Sequence, residues 1–126
     1  MAKQTVFTEK APAAIGPYSQ AVKVGDMVYT SGQLPINMAN GELEVNDIAA
    51  ATKNSLDNVK AILESEGLGM ANVIKTTVFM TDLADFAAMN EVYGTYFDGE
   101  APARSCVQVA ALPKGAKIEI EAIATK

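Results

Sequence analysis

The sequence contains no histidine and no tryptophan, a single cysteine, Cys106, and a single arginine, Arg104. Each scarcity removes a class of chemistry. Without His, neither a Ser–His nor a Cys–His nucleophilic pair can be assembled. With one thiol and no imidazole, a zinc site of the usual nitrogen–sulfur kind is out of reach, and no metal is expected. One Cys cannot form an intramolecular disulfide and suits a reducing compartment. No basic run occurs and the formal net charge is −5, so the electrostatic footprint of a nucleic-acid binder is missing. No apolar run approaches the ~18 residues of a membrane span. The first residues, with Lys3, Glu9 and Lys10, do not read as a secretory signal and lack the arginines of a mitochondrial presequence. The expectation is a cytoplasmic protein without cofactor, nucleic-acid partner or membrane contact.

What remains is an ordinary globular composition. At 126 residues, 49% hydrophobic and 20% charged, the chain reads as one domain over residues 1–126. Gln4-Thr5-Val6-Phe7 alternates like an edge strand. Residues 11–17, broken by Pro12, Gly16 and Pro17, read as a loop that ends by presenting Tyr18. Two β-type runs, Tyr18 to Val24 and Met27 to Ser31, flank Gly25-Asp26 as a hairpin does. The second runs into Gly32, which permits close approach to the main chain. Asn37 to Asn46 reads as a loop. Asp47 then predicts a helix to about Glu66, with Thr52, Leu56, Val59, Ile62 and Leu63 on one stripe and Gly67 closing it. Val73 to Met80 reads as a strand. A second helix, capped by Asp82, carries Phe86, Met89, Tyr93 and Phe97 at helical spacing, a pattern that suits a core face.

Two final strands carry the chemistry. Pro102 to Ala110 alternates Ser105, Val107 and Val109 with Arg104, Cys106 and Gln108. Lys117 to Ala124 alternates Ile118, Ile120 and Ala122 with Lys117, Glu119 and Glu121. The expectation is one apolar face under both helices and an opposite face shared by Arg104, Cys106, Glu119 and Glu121. The architecture is then an α+β sandwich with both helices on one sheet face. The other face has no cover within the chain, so a self-associating oligomer is expected.

Several segments then stand in a recognisable order: Ala13-Ala14-Ile15-Gly16-Pro17-Tyr18-Ser19-Gln20, Thr30-Ser31-Gly32-Gln33-Leu34-Pro35, Ser55-Leu56-Asp57-Asn58-Val59-Lys60, Lys75-Thr76-Thr77-Val78-Phe79, Pro102-Ala103-Arg104-Ser105-Cys106-Val107 and Lys117 to Ala124. Together, from about Thr5 to Ala124, the chain resembles the Rid (YjgF) family of reactive-intermediate deaminases. The resemblance implies a chorismate-mutase-like fold with a mixed sheet, a homotrimer closing a central barrel, and clefts between subunits. It implies hydrolysis of 2-imino acids, such as 2-iminobutanoate and 2-iminopropanoate released by pyridoxal-phosphate dehydratases, to 2-keto acids and ammonia. It places Arg104, Glu119 and Cys106 at catalytic positions and Tyr18, Ser31, Gly32 and Arg104 at substrate-binding ones. Arg104 would clamp the carboxylate, and Glu119 would orient the water and shuttle a proton. The Cys106 thiol is not expected to be a nucleophile, having no His or Lys to form a thiolate. The chain departs from relatives in a shorter Asp98–Ala101 connection and in Ala111, where a basic residue often stands. A small keto-acid-binding trimer without turnover is the alternative. A ribonuclease fits poorly with the charge and the missing His, and nothing selects a holdase.

Overall fold

The computed structural model describes residues 2–126. Eight strands and two helices follow the chain as β1 (Gln4–Val6), β2 (Ala21–Val24), β3 (Met27–Thr30), β4 (Ile36–Asn37), β5 (Glu42–Leu43), α1 (Ile48–Glu64), β6 (Val73–Met80), α2 (Phe86–Gly94), β7 (Ala103–Gln108) and β8 (Ile118–Thr125). Six strands form one sheet in the order β1-β2-β3-β8-β6-β7, and β4 and β5 form a small hairpin of their own. The main sheet is mixed: β6 and β7 run parallel across the α2 crossover, and every other pairing is antiparallel.

The helices form where periodicity and caps agree. Asp47 accepts hydrogen bonds from the Ala49 and Ala50 backbone, so α1 starts with orphan donors satisfied. Its Leu56, Val59, Ile62 and Leu63 are fully buried against Val78, Met80, Ile118 and Ile120 of the sheet. Asp82 caps a single 3₁₀ turn, Leu83–Asp85, rather than α2 itself. The helix therefore begins later than its sequence suggests, at Phe86, and it ends at Gly94, before Phe97. Residues 37–46, expected as plain loop, carry most of the β4–β5 hairpin, which begins at Ile36, and the stretch from Tyr18 to Gln20 precedes β2 rather than belonging to it.

One expectation is overturned in a way that matters for function. Arg104 and Cys106 do not share a face with Glu119. In the registers of the last strands, Cys106, Val78 and Ile120 stand side by side, and so do Arg104, Thr76 and Ala122. These rows face the helices: Thr76, Val78, Ile120 and Ala122 are all buried, and Cys106 packs against the core. The opposite face carries Val107, Phe79 and Glu119 in one row and Ser105, Thr77 and Glu121 in the next. Val107, expected beneath the helices, is 43% exposed. The reason lies in α2, whose aromatic rings accept a guanidinium where an aliphatic face would reject it. The open face also bears Tyr29, 46% exposed, opposite Ile123.

Candidate functional site

Glu119 lies on the open face of β8, and the chain is folded around it from two directions. The residues after β3 run beside β8 through reciprocal backbone bonds between Gln33 and Ile120, of 2.8 and 3.2 Å. That bridge brings Gly32 against the Glu119 side chain. A Cβ on residue 32 would fall 2.7 Å from Glu119 Cδ and 2.9 Å from Cγ, so any side chain there would force the Glu119 carboxylate to shift. Ser31 fixes the other flank, its Oγ donating to the Ser19 carbonyl at 2.6 Å. The loop before it is tied by Gln20, which is only 3% exposed. Its amide nitrogen donates to the carbonyls of Thr8, Ala11 and Pro12, and its Oε1 accepts from the Thr8 backbone. Tyr18, half exposed, emerges from this clamped segment.

The result is a cleft of about 470 Å³ lined by Tyr18, Ser31, Gly32, Lys114, Glu119 and Glu121 among others. Partial burial, and then the charge of Glu121, push the Glu119 carboxyl above the usual carboxylate range, with no side-chain hydrogen bond among the described residues to offset them. A carboxylate in that condition accepts a proton more readily than one in open water.

Arg104 occupies a different seat on the helix side. Its guanidinium carbon lies 4.8 Å from the Tyr93 ring centroid and 5.4 Å from that of Phe86. One terminal nitrogen donates to Asn90 Oδ1 at 2.6 Å. Tyr93 is fixed in turn by a 2.7 Å hydrogen bond between its hydroxyl and Thr76. Cys106 sits one pleat along, with Sγ 3.7 Å from Met80 Sδ. Burial pushes its thiol up, and the smaller pull of Arg104 does not reverse that. That shift favours the protonated thiol over the thiolate that a nucleophile requires.

Known proteins supply the frame for this geometry. The profile of the Endoribonuclease L-PSP family matches residues 8–126. The chain belongs to this family, the Rid (YjgF) proteins. It is 55% identical over 126 residues to the 2-iminobutanoate/2-iminopropanoate deaminase of Escherichia coli K12, with 98% of each chain covered. The crystal structure of the E. coli YjgF gene product superposes with a TM-score of 0.93 at 54% identity, covering 98% of both chains. That of E. coli TdcF with bound serine gives 0.93 at 52% identity and the same coverage.

Within this Rid-family chain the sequence-predicted site residues fall into two groups. Tyr18, Ser31, Gly32 and Glu119 meet in the cleft. Arg104 and Cys106 stay together on the other side of the sheet. Sequence reasoning missed Gln20, whose partners are backbone carbonyls with no side-chain signature. It missed the Phe86, Asn90 and Tyr93 seat as well, although these positions share one helical face by spacing. Among the described residues no cluster of His, Cys, Asp and Glu is arranged to hold a metal ion, and no helix is long and apolar enough to cross a membrane.

Proposed function

We propose that the chain is a hydrolytic deaminase of 2-imino acids, with 2-iminobutanoate and 2-iminopropanoate as substrates, and that it works as a homotrimer with sites shared between subunits. The reaction is R–C(=NH)–COO⁻ + H₂O → R–C(=O)–COO⁻ + NH₃. The C=N bond is exchanged for C=O, nitrogen leaves as ammonia, and nothing is oxidised or reduced.

The observation that carries this reading is the separation of Arg104 from Glu119 by the thickness of the sheet. A substrate held by its carboxylate on Arg104 cannot reach Glu119 of the same chain. Both are needed, one to clamp and one to handle water, so the pair must come from two copies. The half-apolar open face, with Tyr29 and Val107 exposed, favours closure by a second and third copy into a barrel. Arg104, at the edge strand of one subunit, then completes the cleft of its neighbour.

In such a site the Arg104 fork takes the substrate carboxylate in two parallel hydrogen bonds. Glu119 aims a water at C2, accepts its proton and passes one to nitrogen as ammonia departs. Tyr18 and the Gly32 backbone wall the substrate, while Ser31 holds their segment in place. The packing of Cys106 supports the strand that presents Arg104, and its backbone carbonyl helps hold the water. Imine hydrolysis needs little more than such positioning. A relative named as a 2-iminobutanoate/2-iminopropanoate deaminase matches this chain over 98% of its length, and a bound serine in TdcF supports a site that accepts small amino-acid-like molecules. The unpaired, elevated Glu119 favours turnover over mere retention of a keto acid.

The test adds purified protein to a pyridoxal-phosphate dehydratase acting on serine or threonine, with semicarbazide trapping free imine. Less semicarbazone and faster keto-acid formation are expected. Equal trapping with and without the protein would remove the deaminase reading.

A further inference from the structure

Lys114 lines the cleft in a backbone conformation uncommon for a residue other than glycine. It is the one non-glycine residue at positive φ among the described residues, with φ 60° and ψ 19°. Gly115 follows at φ 74°, and the Ala116 N–H closes the turn onto the Pro113 carbonyl at 3.2 Å. Positive φ at both central residues is the type I′ pattern, whose first central position favours Asn, Asp or Gly. A side chain kept there at a cost in backbone strain points to a use for that side chain.

The surroundings say what use. Lys114 is the one cation among the residues lining the cleft, a lining that also includes Glu119 and Glu121. The ion pairs among the described residues are Lys23–Glu66 and Lys53–Asp57, so no carboxylate lies within 4.0 Å of its ammonium. We infer that Lys114 reads an acidic side chain, so that 2-imino dicarboxylic acids are substrates alongside the small monocarboxylic ones. This rests on the deaminase reading above. Arg104 takes the carboxylate next to the imine, as for any substrate. A second carboxylate at the far end would be repelled by Glu119 and Glu121, and the Lys114 ammonium offsets that repulsion with a charge-assisted hydrogen bond. The chemistry is unchanged: water adds at C2, the C=N bond breaks, and ammonia leaves from a dicarboxylic keto acid.

The experiment generates 2-iminoglutarate in situ with an amino-acid oxidase acting on glutamate, and 2-iminobutanoate with a threonine dehydratase, trapping both with semicarbazide. The readout is the ratio of the two kcat/KM values. Wild type should hydrolyse both. Lys114→Met should lower the dicarboxylate-to-monocarboxylate ratio about tenfold, the scale of one charge-assisted contact, and Lys114→Arg should largely preserve it. Lys114→Gly guards against misfolding, because Gly adopts this backbone without strain, and its ratio should fall like that of the Met variant. An unchanged ratio, an equal loss on both substrates, or a wild type active only on 2-iminobutanoate would overturn the inference while leaving the deaminase reading intact. A wild type inactive on both would overturn the two together.

Discussion

On the helix side of the sheet, Arg104 rests against Phe86 and Tyr93 with one donor committed to Asn90. On the open side, Glu119 neighbours Glu121 with no side-chain hydrogen bond among the described residues to steady it, and partial burial raises its affinity for a proton. The guanidinium is always charged, and its seat removes conformational freedom before substrate arrives, which is what a binding group needs. The carboxylate is held in a state from which it readily takes up a proton, which is what a reacting group needs. Satisfied and unsatisfied ions thus mark the two roles. In the proposed shared site, their location on opposite faces calls for two copies of the chain.

The largest expected effect comes from separating the halves by mutation and rejoining them by assembly. Arg104→Gln and Glu119→Gln should each lose about a hundredfold or more in kcat/KM. Unfolded together in equal amounts and refolded, they should recover about a quarter of wild-type activity, because random reassembly of a ring leaves about one shared site in four intact. The measurement is ammonia release by the mixture against each parent. No recovery would mean that Arg104 and Glu119 do not meet across a subunit boundary, which would remove the proposed shared site, or that Arg104 is not the clamp.

A smaller loss should follow when the cleft half alone is disturbed. Gly32→Ala places a methyl 2.7 Å from Glu119 Cδ and 3.0 Å from its Oε1. The Glu119 side chain can swing away, so the fold should survive with little change in Tm. The carboxylate, however, moves by a distance on the order of 1 Å, enough to cost about ten- to a hundredfold in kcat. Binding of a keto-acid product, which depends on the Arg104 half, should change far less. Parallel loss of both would show that Gly32 serves the clamp as much as the base.

Much of this organisation can be read in the sequence, and the exception has a physical cause. Asp47, the stripe from Thr52 to Leu63 and the glycine at 67 define α1 because cap and period agree. The Val, Ile and Thr alternation defines β6 with the bounds observed, Val73–Met80. Glu119 and its neighbours at Tyr18 and Gly32 follow from motif order. The facing of β7 does not, because both of its rows mix apolar and polar residues and the strand lies at the sheet edge. Alternation states which residues travel together, never which row is inside. What decides it is the Phe86, Asn90 and Tyr93 surface of α2, a tertiary fact. The same holds for Lys114, since Pro113-Lys114-Gly115 names a turn without revealing that its Lys pays with positive φ.

The smallest expected effect distinguishes the two carboxylates of the cleft. Glu119 and Glu121 project from the same face of β8, opposite Phe79 and Thr77, and Lys114 is the cation lining the same cleft. If Glu119 is the base, it works ionised, and activity falls as the pH drops through its elevated pKa. Glu121 is the second cause of that elevation, after burial. Glu121→Gln removes a negative charge, so the Glu119 pKa should fall and the acid limb of kcat/KM should move to lower pH. Burial remains, so the limb should not return all the way to that of a free glutamate. Turnover at pH 7 should stay within about threefold of wild type, since a slightly weaker base offsets a fuller ionised fraction. A pH–rate profile of the variant decides the matter. An acid limb that stays in place while turnover collapses would move the base from Glu119 to Glu121, and with it the point to which Arg104, in the proposed shared site, delivers the substrate.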